Sequence, residues 1–363
     1  MSVGPSYFLG ANSPSGFYSL YSELISPRDA RIIYLLKGGA GCGKSTLMRR
    51  VEQSAREAGI RTECILCSGD PDSLDAVLLP DLGIALADAT APHVMEPKFP
   101  GVVERYVNLG DCYDYAALRD CRDEIITCMT DYPACYARAY RCLEAASALS
   151  EDVRNSLLTP QVSQRLTRRA RSILRRELKD RKSGEKGRVK QRFLSAVTHK
   201  GPVCLFETAQ LLCPRICVLE DSFSLGHGLL LELLTGAVES GYDVVACPDP
   251  MAPDRLAHLL IPEAGVGFVT ATPSLPYPGQ SVRRIRLDSI ADGAPMHTAR
   301  SRQRLSFKVA AALQEEAISS LAQAKAIHDD LERLYNPHVD FTRVHRMAQE
   351  IISEILSISE RCF

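Results

Sequence analysis

The sequence predicts an α/β protein of two similar halves, each a mainly parallel sheet with helices packed on it. Three observations lead there. Short apolar runs alternate with segments of helical spacing. A glycine-rich stretch, Gly38-Gly39-Ala40-Gly41-Cys42-Gly43-Lys44-Ser45-Thr46, lies between one such run, Ile32-Ile33-Tyr34-Leu35-Leu36, and a helical segment. The opening of the chain also recurs about 185 positions later.

Taken in order, residues 7–21 read as an extended stretch and a polar turn, then a short helix-like segment that ends near Pro27. The strand at 32–36 and the glycine-rich loop follow. The helix from Ser45 stops at Ala58-Gly59, a C-terminal signal. Residues 62–67 form a second strand that leads into the acidic loop Ser68-Gly69-Asp70-Pro71-Asp72. Two further apolar runs, 74–80 and 83–90, come next, the second carrying Asp88 at its end. Residues 115–178 are mostly helical by pattern, with Pro133 predicting a break. Residues 303–363 are helical too, broken at Pro337. Alternation of this kind places a site at the C-terminal edge of the sheet.

The glycine-rich loop has the spacing, preceding strand and following helix of a phosphate-binding loop. Its glycines permit dihedrals that a Cβ forbids, so successive N–H groups turn inward around a phosphate. The helix start adds free N–H groups and the positive end of its dipole. Lys44 is the expected partner of the β- and γ-phosphates, and the Ser45 hydroxyl the expected Mg²⁺ ligand. Asp88 fits the acid that supports the metal, and capping of the turn before Thr90 is its plainer use. Asp70, Asp72 and His93 lie in loops that face the same edge, either to orient a water or as solvated turn residues. His328-Asp329-Asp330 reads as a polar helix face, since adjacent helical residues point apart.

Internal repetition shapes the domain reading. Phe8-Leu9, Ala11, Gly16 and Leu20 reappear at the same spacing as Phe193-Leu194, Ala196, Gly201 and Leu205. Leu74, Leu78, Pro80, Gly83 and Thr90 are echoed by Leu256, Leu260, Pro262, Gly265 and Thr272. We therefore expect two domains, 1–190 and 191–363. They differ where the chemistry belongs: Gly38 is answered by Asp221, Lys44 by His227, Ser45 by Gly228 and Asp88 by Thr270. The expected second copy keeps its fold and has lost nucleotide binding.

Composition narrows the partners. Apolar residues are 45% and charged residues 24% of 363, with net charge −1, so no global field favours nucleic acid. No apolar run reaches membrane-spanning length, and the N-terminus has no signal-peptide pattern. Thirteen cysteines, an odd number, suit reduced thiols and a cytoplasmic location. Cys121, Cys128, Cys135 and Cys142 recur every seven residues. Cys64 and Cys67 have metal-pair spacing but no second pair. Small apolar packing is the favoured reading for all of them. Residues 165–192 hold thirteen basic and three acidic residues. A solvated helix face is the favoured reading there, and a patch for an anionic or protein partner the other.

The glycine-rich loop, the segment Ile84-Ala85-Leu86-Ala87-Asp88-Ala89-Thr90-Ala91-Pro92-His93, the run Asn108-Leu109-Gly110-Asp111, and Ala324-Lys325-Ala326-Ile327-His328-Asp329-Asp330-Leu331-Glu332 with Tyr335 together resemble a bacterial family. That family comprises poorly characterised tandem phosphate-loop ATPase-like, ATP-binding proteins. The resemblance implies tandem P-loop NTPase-like domains and ATP binding with hydrolysis. The residues themselves imply one Mg²⁺-dependent site per chain, with ATP favoured because no guanine-specific Asn-Lys-x-Asp run is present. A small-molecule kinase and a non-hydrolysing nucleotide sensor use the same loop and stay open as alternatives.

Overall fold

A computed structural model describes residues 4–91, 95–178, 185–281, 283–290 and 299–362. In the first part of the chain it places β1 (Ser6–Phe8), the paired strands β2 (Gly10–Ser13) and β3 (Gly16–Ser19), and β4 (Ile32–Lys37). Helix α1 (Lys44–Glu57) follows, then β5 (Glu63–Leu66), β6 (Leu74–Leu79), β7 (Ile84–Asp88) and β8 (Glu104–Asn108). Three helices come next: α2 (Tyr115–Asp120), α3 (Arg122–Leu157) and α4 (Pro160–Glu177). The second part repeats the series with β9 (Val189–Gln191), the hairpin β10 (Ser195–Thr198) and β11 (Gly201–Cys204), α5 (Phe206–Leu212), β12 (Arg215–Glu220) and α6 (His227–Glu239). It continues through β13 (Val244–Asp249), β14 (Ala252–Ile261), β15 (Val266–Ala271), β16 (Arg283–Arg286), α7 (Ala299–Tyr335) and α8 (Phe341–Cys362).

Each part builds a six-stranded sheet, and the two sheets share one topology. The first runs β1-β5-β6-β7-β4-β8 and the second β9-β13-β14-β15-β12-β16. In both, the third strand alone is reversed, pairing antiparallel on each side, and the other pairs are parallel. The sheets are thus mixed, with the parallel share dominant. Repetition extends to detail. Leu20 N donates to Leu9 O at 2.7 Å and Leu205 N to Leu194 O at 2.8 Å. Gly83 and Gly265 close equivalent turns with φ of 65° and 64°, a left-handed conformation that explains why glycine stands at both.

Contact grouping divides the chain into two units that are not contiguous halves. Unit 1 comprises Met1–Gly10, Ser19–Arg138 and Ser319–Phe363; unit 2 comprises Ala11–Tyr18 and Ala139–Ile318. This grouping differs from the expected segments 1–190 and 191–363, and amphipathic helices give the reason. In unit 1, α8 packs Val344, Ala348, Ile351, Ile352 and Ile355 into the core formed by Leu47, Met48 and Val51 of α1 and the sheet residues Val77, Leu79 and Leu86. In unit 2, α4 packs Val162, Leu166, Ala170 and Ile173 with Leu229, Leu230 and Leu233 of α6 and with Phe268. Spacings of three, four and seven make one apolar stripe on each helix. The last helix of each sequence repeat therefore completes the core built on the other repeat's sheet.

Two local expectations change. The helix-like segment before Pro27 is strand β3 followed by a single tight turn, Tyr21–Glu23. Tertiary bonds decide this: beside the Leu20 bond to Leu9, the Tyr21 hydroxyl donates to buried Asp75 at 2.7 Å. Helix α3 runs unbroken through Pro133. The proline removes one donor, but a helix of 36 residues continues on both sides of the gap.

Candidate functional site

Unit 1 brings the sequence-predicted residues to one sheet edge. Strands β4 and β7 are parallel neighbours with Leu36 beside Asp88, so the 38–46 loop and Asp88 leave the sheet together. Gly41 and Gly43 adopt φ of 65° and 90°, which L side chains rarely take. A Cβ on Gly41 would lie 2.8 Å from Asn336 Oδ1 and 3.1 Å from Glu332 Cα. The loop thus runs directly beneath the end of α7.

Helix α1 begins at Lys44 with Gly43 as its N-cap and no side-chain cap. Its first amides have no intrahelical acceptor and present the positive end of the dipole. Lys44 Nζ donates to Gly38 O and Gly39 O at 2.8 Å each and lies 3.6 Å from Asp88 Oδ2. Both side chains of that pair are largely buried, so solvent screens it weakly. The other oxygen of Asp88 accepts from Thr90 N at 2.9 Å and from Thr90 Oγ1 at 2.5 Å. Asp88 therefore caps its turn with one oxygen and faces Lys44 with the other. Ser45 Oγ accepts from Leu74 N at 3.0 Å, which fixes the hydroxyl at the start of β6. Cys42 is buried under the loop and Thr46 is exposed.

The remaining candidates divide. Asp70 is drawn in through Lys325 at 3.6 Å and accepts from Ser73 Oγ at 3.0 Å, whereas Asp72 is exposed. His93 lies outside the described residues. The helix brings His328 and Asp329 together with Glu332, not with Asp330, and Asp329 bonds Lys325 while Asp330 bonds Arg333. Thirteen free thiols are present, and burial pushes Cys64 up to about 12, which suits packing over chemistry. In the basic segment, α4 turns Arg165, Arg168, Arg171, Arg175 and Arg176 outward; residues 179–184 lie outside the described residues.

Two tyrosines reach the loop: Tyr113, to which nothing in the sequence pointed, and Tyr335, which entered only through the family resemblance. Gly39 N donates to Tyr113 Oη at 2.5 Å, and the Tyr113 and Tyr335 ring centroids are 5.6 Å apart. Burial pushes the Tyr113 phenol up, which keeps it protonated. No local pattern marks either residue, because they reach the loop from segments about 70 and 300 positions away.

The equivalent loop in unit 2 is closed from within. Asp221 follows β12 as Gly38 follows β4, and His227 opens α6 as Lys44 opens α1. The Asp221 carboxylate, 3% exposed, accepts from Gly226 N at 2.7 Å, Leu225 N at 2.9 Å and Phe223 N at 3.3 Å. A resident anion thus occupies the amide-lined turn that an external phosphate would need. His227 Nδ1 accepts from Leu256 N at 3.0 Å, the role that Ser45 Oγ plays toward Leu74. Thr270 takes the register position of Asp88 and spends its hydroxyl on Ala257 O at 2.5 Å. Comparison of the chain with protein-family models, curated proteins and solved structures finds no match.

Proposed function

We propose that the protein is a Mg²⁺-dependent ATP-binding protein and ATPase with one working site, the 38–46 loop of unit 1. In this reading the chain is a tandem P-loop NTPase-like protein whose second loop is degenerate. The contrast between the two loops is the observation that supports it. Neither helix has a side-chain cap, but the first loop holds a lysine beside an aspartate, whereas the second ties its own amides to Asp221. The donor set fits the group: amides and Lys44 for the phosphates, Ser45 and Asp88 for the metal. Bound Mg²⁺ would neutralise phosphate charge. The resemblance to tandem ATP-binding proteins points the same way.

Titration of the purified chain with ATP and GTP, with and without Mg²⁺, tests the proposal by counting sites and released phosphate. One Mg²⁺-dependent ATP site per chain is expected, abolished in Lys44→Ala with the fold kept. Unchanged ATP affinity in Lys44→Ala ends this reading. Transfer of label from ATP to an acceptor instead of water would make the activity that of a kinase.

A further inference from the structure

Beside the second loop, within unit 2, lies a cavity of about 210 Å³. Two arginines line it. Arg154 comes from the last turn of α3 with its side chain only 10% exposed. Its Nη2 donates to Glu151 at 2.9 Å, and its buried Nε has no partner. Arg255, half-buried on β14, donates from Nη2 to Ser224 O at 3.0 Å. Each guanidinium carries five N–H donors, so the described bonds engage a small part of what the pair offers.

Carboxylates stand near this pair: Glu151 is ion-paired with Arg154, and Asp254, Asp249 and Asp221 act on Arg255. Asp221 is committed to the loop amides, and Asp249 accepts from Met251 N at 2.9 Å. Asp254 is exposed, and Glu151, itself more than half exposed, takes one of the Arg154 donors. Burial, then the neighbouring Arg154 charge, lowers the proton affinity of Arg255, and burial with the Arg255 charge lowers that of His227. Arg154, Arg255 and His227 thus share the cavity lining with Asp221 and Asp249, whose oxygens are bonded to backbone amides. Ser224, which anchors Arg255, is the one non-glycine residue with positive φ among the described residues, at 54°. Backbone strain of this kind collects where a binding geometry is held. Hydroxyls of Ser195, Thr272 and Ser274 line the cavity as well.

We propose that this cavity binds a small hydroxylated oxyanion, a phosphate monoester or a carboxylate, clamped by Arg154 and Arg255. Paired guanidinium forks match the planar or tetrahedral oxygens of such groups. The hydroxyls suit a polyol body, and the turn's amides at Phe223, Leu225 and Gly226 are already engaged by Asp221 and not offered to a triphosphate chain. The second repeat would then have exchanged one ligand for another instead of falling silent.

Calorimetric titration of the full chain with inorganic phosphate, glycerol 3-phosphate and malate tests this, and the three probes separate phosphate from carboxylate recognition. At least one probe is expected to bind once per chain, in the wild type and in Lys44→Ala alike. Arg154→Gln and Arg255→Gln should each weaken it by about tenfold or more. Denaturation midpoints without probe check that the variants fold. A readout that needs no variant is the NMR signals of His227 and His258, both on the cavity wall, which should shift on probe addition. The proposal is overturned if Lys44→Ala removes binding while both arginine variants keep it; that outcome would leave the first loop as the anion site. It is overturned equally if no probe binds at about 10 mM.

Discussion

Replacing Asp221 with asparagine probes how the second loop is closed. The carboxylate is buried, and burial raises it from the usual carboxylate range to about 6, against the lowering effect of the amides of Leu225 and Gly226. An acid whose folded value lies above its unfolded value binds more protons when folded. Its contribution therefore favours folding most at low pH and fades as pH rises from about 4 to about 6. A rise from 3.8 to about 6 corresponds to roughly 3 kcal/mol between the two ends of that window. Asparagine keeps an acceptor for the amides and removes the titration. Urea unfolding of wild type and Asp221→Asn from pH 4 to pH 7 isolates the effect, because other titrating groups cancel in the difference. The wild type should lose about 3 kcal/mol relative to the variant across this range. Parallel curves, or a wild type that gains on the variant as pH rises, would show that the amides outweigh burial at Asp221 and would refute the raised value.

Three further outcomes follow from the packing. Ile351→Ala, in the buried stripe of α8, should destabilise by about 3 kcal/mol in urea unfolding, since it empties a site beside α1. Gly41→Ala should destabilise by about 1–2 kcal/mol and weaken ATP in calorimetry, because its φ is left-handed and its Cβ would meet Asn336 and the Glu332 backbone. His258 is fully enclosed, its Nδ1 accepts from Thr270 N at 3.1 Å, and burial lowers it to about 4. Its imidazole signals should stay those of the neutral form from pH 8 down to about 5, and its contribution to stability should fall as pH drops from about 6.5 toward 4.

Local patterns made some of this molecule legible and left the rest hidden. The strand, loop and helix around Gly38–Lys44 follow from residue types that have strong backbone preferences, and so do the turns at Gly83 and Gly265. The repeat was legible because Leu74, Pro80 and their echoes occupy buried or conformationally special positions. Which helix covers which sheet was not legible: the stripe Val344-Ala348-Ile351 states that a face is buried, not against what. Pro133 misled because a proline's local penalty is small beside the length of α3. Asp221 reads only as the residue standing in place of Gly38; its bonds to three amides depend on the loop's conformation, which no single residue encodes. Arg154 and Arg255 stand about 100 positions apart, and only the fold brings them to one wall.

The crossed assignment of α4 and α8 has a consequence for how the protein can be divided. A fragment that stops after α4 carries a greasy ridge made for α6, which it does not contain, and leaves the groove over α1 bare. A fragment that starts at β9 has the mirror-image deficit. Each is the missing part of the other, helix for helix. Cutting between the sequence repeats would therefore damage both cores at once.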